Sequence, residues 1–127
     1  MSYLWVAFGG ALGSVGRYAV GRAVARFADG AFPWSTLIVN VSGALLIGFL
    51  AGLGTADGRS TLSADARGFL LVGVLGGFTT FSSFSLETLH LVRDGQWIGA
   101  AVNILASVGL CLLAVAIGFG AASTLSR

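Results

Sequence analysis

Residues 76–87 read GGFTTFSSFSLE and lie inside an apolar run. Each of the two glycines lowers helix propensity by about 1 kcal/mol relative to alanine. The hydroxyls of Thr79, Thr80, Ser82, Ser83 and Ser85 compete for backbone partners. Phe78, Phe81 and Phe84 recur at spacing three. The pattern predicts a broken helix. If the run crosses a bilayer, backbone freed at that depth has to be buried in protein or bind something.

Composition puts the run in a bilayer. Of 127 residues, 56% are hydrophobic and 9% charged, and the mean hydropathy is +0.92. A soluble domain carries about 25% charged residues, so this chain has too few charges to cover a water-facing surface. The 20 glycines suggest closely packed helices, because small residues let membrane helices approach. A single cysteine, Cys111, rules out an intrachain disulfide. The N-terminal run has no basic region ahead of it and no obvious cleavage site, so it reads as a retained span.

Crossing the hydrocarbon takes roughly 20 apolar residues. Four segments qualify, at about Tyr3–Val24, Ser35–Leu53, Arg67–Leu91 and Trp97–Ala122. Residues 26–33, 54–65 and 93–96 have loop composition. Pro33 stops what precedes it, and Ser35 or Thr36 is expected to cap the second helix. Trp5, Trp34 and Trp97 fall near span ends, where aromatic belts form. Residues 1–127 therefore read as one four-helix transmembrane domain. Four spans put both termini on one side, with Arg59, Arg67 and Arg127. The other side carries Arg22, Arg26 and Arg93. Orientation is normally set by such charges in short loops, and here they balance. Either one arginine or a partner decides, or both orientations insert and the working unit is an antiparallel homodimer.

Polar groups inside a membrane are either helix glue or a solute path. Gly9 and Gly13 form a GxxxG, and Arg17 follows on much the same face. Close packing with a snorkelling arginine is the plainer reading of that face. Thr36 and Asn40 share a face of the second span, and the Asn40 amide offers two donors. Asn103, Ser107 and Cys111, at i, i+4 and i+8, form a weakly polar stripe on the fourth. Carbonyls freed at the break in the third span suit a small hard cation. The three phenylalanines fit core filling, but their positive ring edges beside hydroxyl and amide donors also suit a small anion. Glu87 is the acid nearest this track, either a hydrogen-bonded interfacial group or part of a vestibule. His90 reads as interfacial. There is no phosphate loop, no CxxC and no basic patch for nucleic acid, and no enzyme constellation appears.

GGALGSVGRY (residues 9–18), PWSTLIVNVSG (33–43) and GVLGGFTTFSSFSLE (73–87) resemble, in order, the signatures of the Fluc fluoride channels. The resemblance implies passive fluoride efflux that protects the cell, through a multi-pass protein of the cell (inner) membrane. It implies an antiparallel, dual-topology homodimer with two pores. It implies a structural sodium ion at the dimer centre, held by the backbone carbonyls of Gly76 and Thr79 from each copy. Carried onto this chain, the pore residues are Asn40, Phe81 and Phe84, with Thr80 and Ser82 counted among the hydroxyls. The polar track is Asn103, Ser107 and Cys111, where the family pattern has a tyrosine first and hydroxyls after it. Glu87 and Arg17 are assigned to the vestibule. The runner-up is a small dual-topology proton-coupled drug exporter. Such a protein needs a deep carboxylate, and the first two spans hold no Asp or Glu.

Overall fold

The computed structural model describes residues 2–53 and 62–125. Every regular element among these is helical, with no strand among them. Helix α1 is Ser2–Val24 and α2 is Trp34–Gly52. A third helical stretch begins with α3, Ala64–Arg67, capped by Ser63, whose Oγ accepts the Ala66 N–H at 3.2 Å. It continues as a π-helical segment, Gly68–Leu75, and a short helix α4, Gly76–Phe78. Helix α5 is Phe81–Arg93 and α6 is Trp97–Leu125. Arg59 and Arg127, used above for orientation, lie outside the described residues.

Among the described residues three stretches are long and apolar enough to cross a membrane: Trp34–Gly52, Ala64–Arg93 and Trp97–Leu125. The N-terminal segment, expected as a fourth, is a helix of 23 residues but is not among them. Arg17 and Arg22, with its serines and glycines, dilute its apolarity.

Small residues fix how the helices meet. A Cβ on Gly9 would strike the Phe69 carbonyl, and one on Gly13 would strike that of Val74. Contacts therefore advance together along both chains, so α1 runs parallel to the third stretch. By the same logic α2 runs parallel to α6, because Gly48 abuts Val115 and Gly52 abuts Phe119. Thr36 meets Glu87 while Asn40 meets Thr80, so α2 is antiparallel to α5. The direction thus alternates along the chain. Between α5 and α6 the reversal is tight. The Gly95 N–H donates to the Val92 carbonyl at 3.0 Å and the Gln96 N–H to that of Leu91 at 2.8 Å. Gly95 takes φ +75°, a left-handed conformation that favours glycine.

Little of the apolar chain is enclosed. Val39, Leu75, Phe84, Leu91 and Ala100 are buried, whereas Phe8, Leu12 and Leu105 face outward. In water such a surface would aggregate; in lipid it is the expected exterior.

The N-terminus of α2 departs from the expected cap. Its boundary residue is Pro33, and no side chain caps it. The Thr36 hydroxyl is drawn instead to the carboxylate of Glu87.

Candidate functional site

Thr79 and Thr80 carry extended backbone, with ψ of 156° and 117°, between α4 and α5. Three interactions hold them there. Thr79 Oγ1 donates to the Leu75 carbonyl at 2.9 Å. Thr80 Oγ1 accepts the Ser83 N–H at 3.2 Å, which caps α5. The third comes from another helix. Asn40 Nδ2 donates to the Thr80 carbonyl at 2.9 Å, and the Thr80 N–H donates to Asn40 Oδ1 at 2.8 Å. One amide thus satisfies both backbone groups of a non-helical residue where leaving them unpaired would be costly.

This arrangement has a consequence for Gly76. In an uninterrupted helix the Thr80 N–H would reach the Gly76 carbonyl, four residues back. Here that N–H is committed to Asn40. Gly76 is solvent-exposed and Thr79 half-buried in the single chain, and both line the same cavity.

Two cavities meet at Thr80. One, of about 400 Å³, is the more polar, lined by Ser14, Arg17, Tyr18 and Gly21 of α1, Ser35, Thr36 and Val39 of α2, and Thr80 and Ser83. Among the described residues Arg17 has no acidic partner, so its charge faces this space uncompensated. The other, of about 440 Å³, is mostly apolar. Asn40, Thr79, Thr80, Phe81, Phe84, Ser107 and Cys111 are among its walls. Phe81 is 75% exposed in the single chain and Phe84 is 8% exposed. Their rings sit 5.2 Å apart at 45°.

The expected site residues therefore separate into groups. Asn40, Gly76, Thr79, Thr80, Phe81, Phe84, Ser107 and Cys111 converge on the apolar cavity. Arg17 faces the polar one. Ser82 is exposed and lines neither, although its hydroxyl is 3.2 Å from Thr80 Oγ1. Asn103 is 1% exposed and stands behind the apolar cavity. Its Nδ2 donates to Thr88 Oγ1 at 2.8 Å, and its Oδ1 accepts from Ser107 at 3.3 Å. Glu87 lines neither cavity. Its Oε1 accepts the Thr36 hydroxyl at 2.8 Å, while Oε2 is buried without a partner among the described residues.

Sequence reasoning did not select Ser14, Ser83 or Thr88 as site residues. Ser83 stands three residues after the capping threonine, a legible signal. Nothing in the sequence marks Ser14, which joins residues of other helices around the polar cavity, or Thr88, whose acceptor role is set by Asn103 of α6. Among the described residues no three His, Cys, Asp or Glu side chains gather, so side chains of those types make no metal centre there.

Comparison with known proteins adds to this geometry. Residues 4–119 match the family model described as CrcB-like protein, Camphor Resistance (CrcB). The chain is 54% identical over 120 residues to the fluoride-specific ion channel FluC of Opitutus terrae, covering 94% of this chain and 91% of that one. It is 47% identical to the protein of the same name from Paramagnetospirillum magneticum over 127 residues, 100% of this chain and 99% of the relative. With that from Rhodospirillum rubrum the identity is 50% over 118 residues, 93% of this chain and 92% of the other.

Proposed function

The chain belongs to the CrcB-like family and is a fluoride-specific ion channel, a multi-pass membrane protein and not an enzyme, and we propose that it passes fluoride down its gradient through two pores of an antiparallel homodimer. The observation that carries the pore reading is the meeting of the two cavities at Thr80. The polar one, with the uncompensated Arg17, is a vestibule that draws anions from water. The apolar one, with Phe81, Phe84, Ser107 and Cys111, is the narrow part.

Fluoride is small and strongly hydrated. Its pore has to replace water with donors and still release the ion. Hydroxyls, the Asn40 amide hydrogen not given to Thr80, and positive ring edges are many weak partners. A ring of arginines would hold the ion too well. Glu87, turned to Thr36, belongs to the rim of the vestibule in this reading.

All 127 residues form one domain, with α1 as a fourth span whose Arg17 faces the vestibule and not lipid. What a single chain leaves open supports the dimer reading. Phe81 and Leu112 line the apolar cavity and are exposed in the single chain, and a second, inverted copy covers them and completes the wall. At the centre, the Gly76 carbonyl lacks the Thr80 N–H, so it fits a cation. Two carbonyls per copy are too few to enclose one; Gly76 and Thr79 from both copies supply four oxygens. Sodium there would tie the two non-helical segments together and offset the cost of bringing anions into the membrane.

The test is fluoride-electrode efflux from vesicles holding the purified protein. Release of fluoride with retention of chloride is expected, and equal rates for both anions would refute the pore. Sodium replacement by a large organic cation should suppress the flux. Transport of a cationic dye in exchange for protons would instead favour the exporter reading.

A further inference from the structure

The residues around Phe84 and Ser107 form a small closed construction. Thr88 stands one turn after Phe84 on α5, and Asn103 one turn before Ser107 on α6. Asn103 Nδ2 donates across the helices to Thr88 Oγ1 at 2.8 Å. Thr88 Oγ1 donates its own proton to the Phe84 carbonyl at 2.7 Å. On the other side, Ser107 Oγ donates to Asn103 Oδ1 at 3.3 Å. The chain of bonds therefore begins and ends on two residues that both line the apolar cavity. Asn103 is 1% exposed, so its amide has no water to turn to.

Neither residue touches the cavity, so each acts on it only through its neighbour. Near the turn, α5 and α6 are also held by the buried Leu91 and Ala100. Further in, the Thr88–Asn103 bond is a side-chain hydrogen bond that joins them.

We propose that the Asn103–Thr88 bond is a strut that fixes the gap between Phe84 and Ser107, and thereby how well the channel separates fluoride from chloride. This rests on the fluoride-channel reading. Chloride is larger and more weakly hydrated than fluoride. A gap that widens loses its donors for the small ion and admits the large one. Asn103 and Thr88 are positioning residues in this account. The long bond from Ser107 to Asn103 leaves the Ser107 proton easily diverted to a passing anion.

The test is the ratio of fluoride to chloride efflux from vesicles containing the purified full-length protein. Thr88→Val keeps the shape and removes the hydroxyl. It should lower the ratio about tenfold, the scale set by an orphaned buried amide. Asn103→Leu should do the same, and the double variant should fall no further than either single one. Thr88→Ser should restore the wild-type ratio. Asn103→Gln keeps the amide on a longer arm, and should shift the ratio even if Thr88→Val proves too unstable to purify. Strictly multiplicative losses in the double variant, or a wild-type ratio in both Thr88→Val and Asn103→Gln, would overturn the strut and leave the channel standing. Wild-type protein that does not prefer fluoride would overturn both.

Discussion

Asn40 shows how one side chain can matter twice. Its amide is paired at both ends with Thr80, so it is a backbone substitute before it is anything for an ion. Asn40→Leu has similar bulk but leaves the Thr80 N–H and carbonyl unpaired, at about 1–3 kcal/mol for each buried group. Reconstituted Asn40→Leu should lose fluoride efflux and melt at lower temperature in detergent. Lost efflux with an unchanged melting temperature would mean that the amide serves the ion alone. The two phenylalanines separate the same way. Phe84 is buried and Phe81 exposed in the single chain. Both alanine variants should cut efflux, but Phe84→Ala should also destabilise the protein, by about 3–5 kcal/mol for an enclosed ring. Chemical denaturation of the two variants side by side distinguishes them.

Among the elements, α1 and the third helical stretch approach closely, and the seam is asymmetric. A Cβ on Gly77 would sit 2.6 Å from the Gly10 carbonyl oxygen, whereas a Cβ on Gly10 meets nothing within 4 Å. Gly77→Ala should therefore force backbone apart, at about 1–3 kcal/mol or more. Gly10→Ala should be neutral or gain up to about 1 kcal/mol of helix propensity. Thermal melts of the two variants check this, and equal effects would show that the seam is loose. Much at this scale was legible. Composition and run length placed the helices within a few residues, and GxxxG marked the close face of α1. The π-helical segment Gly68–Leu75 was not legible, because an all-apolar run has no polar face on which a change of pitch could register. The stripe Asn103, Ser107, Cys111 divides in a defined way. At 3.6 residues per turn, positions eight apart drift by about 80°, so Asn103 turns towards α5 while Cys111 faces the cavity. Pairings such as Thr36 with Glu87 or Thr88 with Asn103 were out of reach. Periodicity assigns a residue to a face of its own helix but does not say which neighbour meets that face.

At the scale of the whole molecule, the sequence leaves orientation nearly undetermined and the pore reading needs both orientations. In the four-span reading three arginines fall on each side, with Arg17 inside the first span, and the chain has no lysine, so a small added bias should lock it. Positive charge near span ends is retained on the cytoplasmic side. Asp94→Arg with Gln96→Arg adds it at the α5–α6 turn, and both residues are exposed there. Ala64→Arg with Asp65→Arg adds it on the opposite side, again at exposed positions. Each locked variant alone should insert one way, as read by a C-terminal reporter, and should give cells no protection against fluoride. Expressed together, the two should restore protection, because each supplies the inverted partner that the other lacks. If either locked variant protects cells by itself, parallel copies or single chains suffice. The exposed wall of Phe81 and Leu112 would then have to be covered by lipid, and two carbonyls from one chain could not enclose a cation at the centre. Full protection on co-expression and none from either alone is the result that an inverted pair requires.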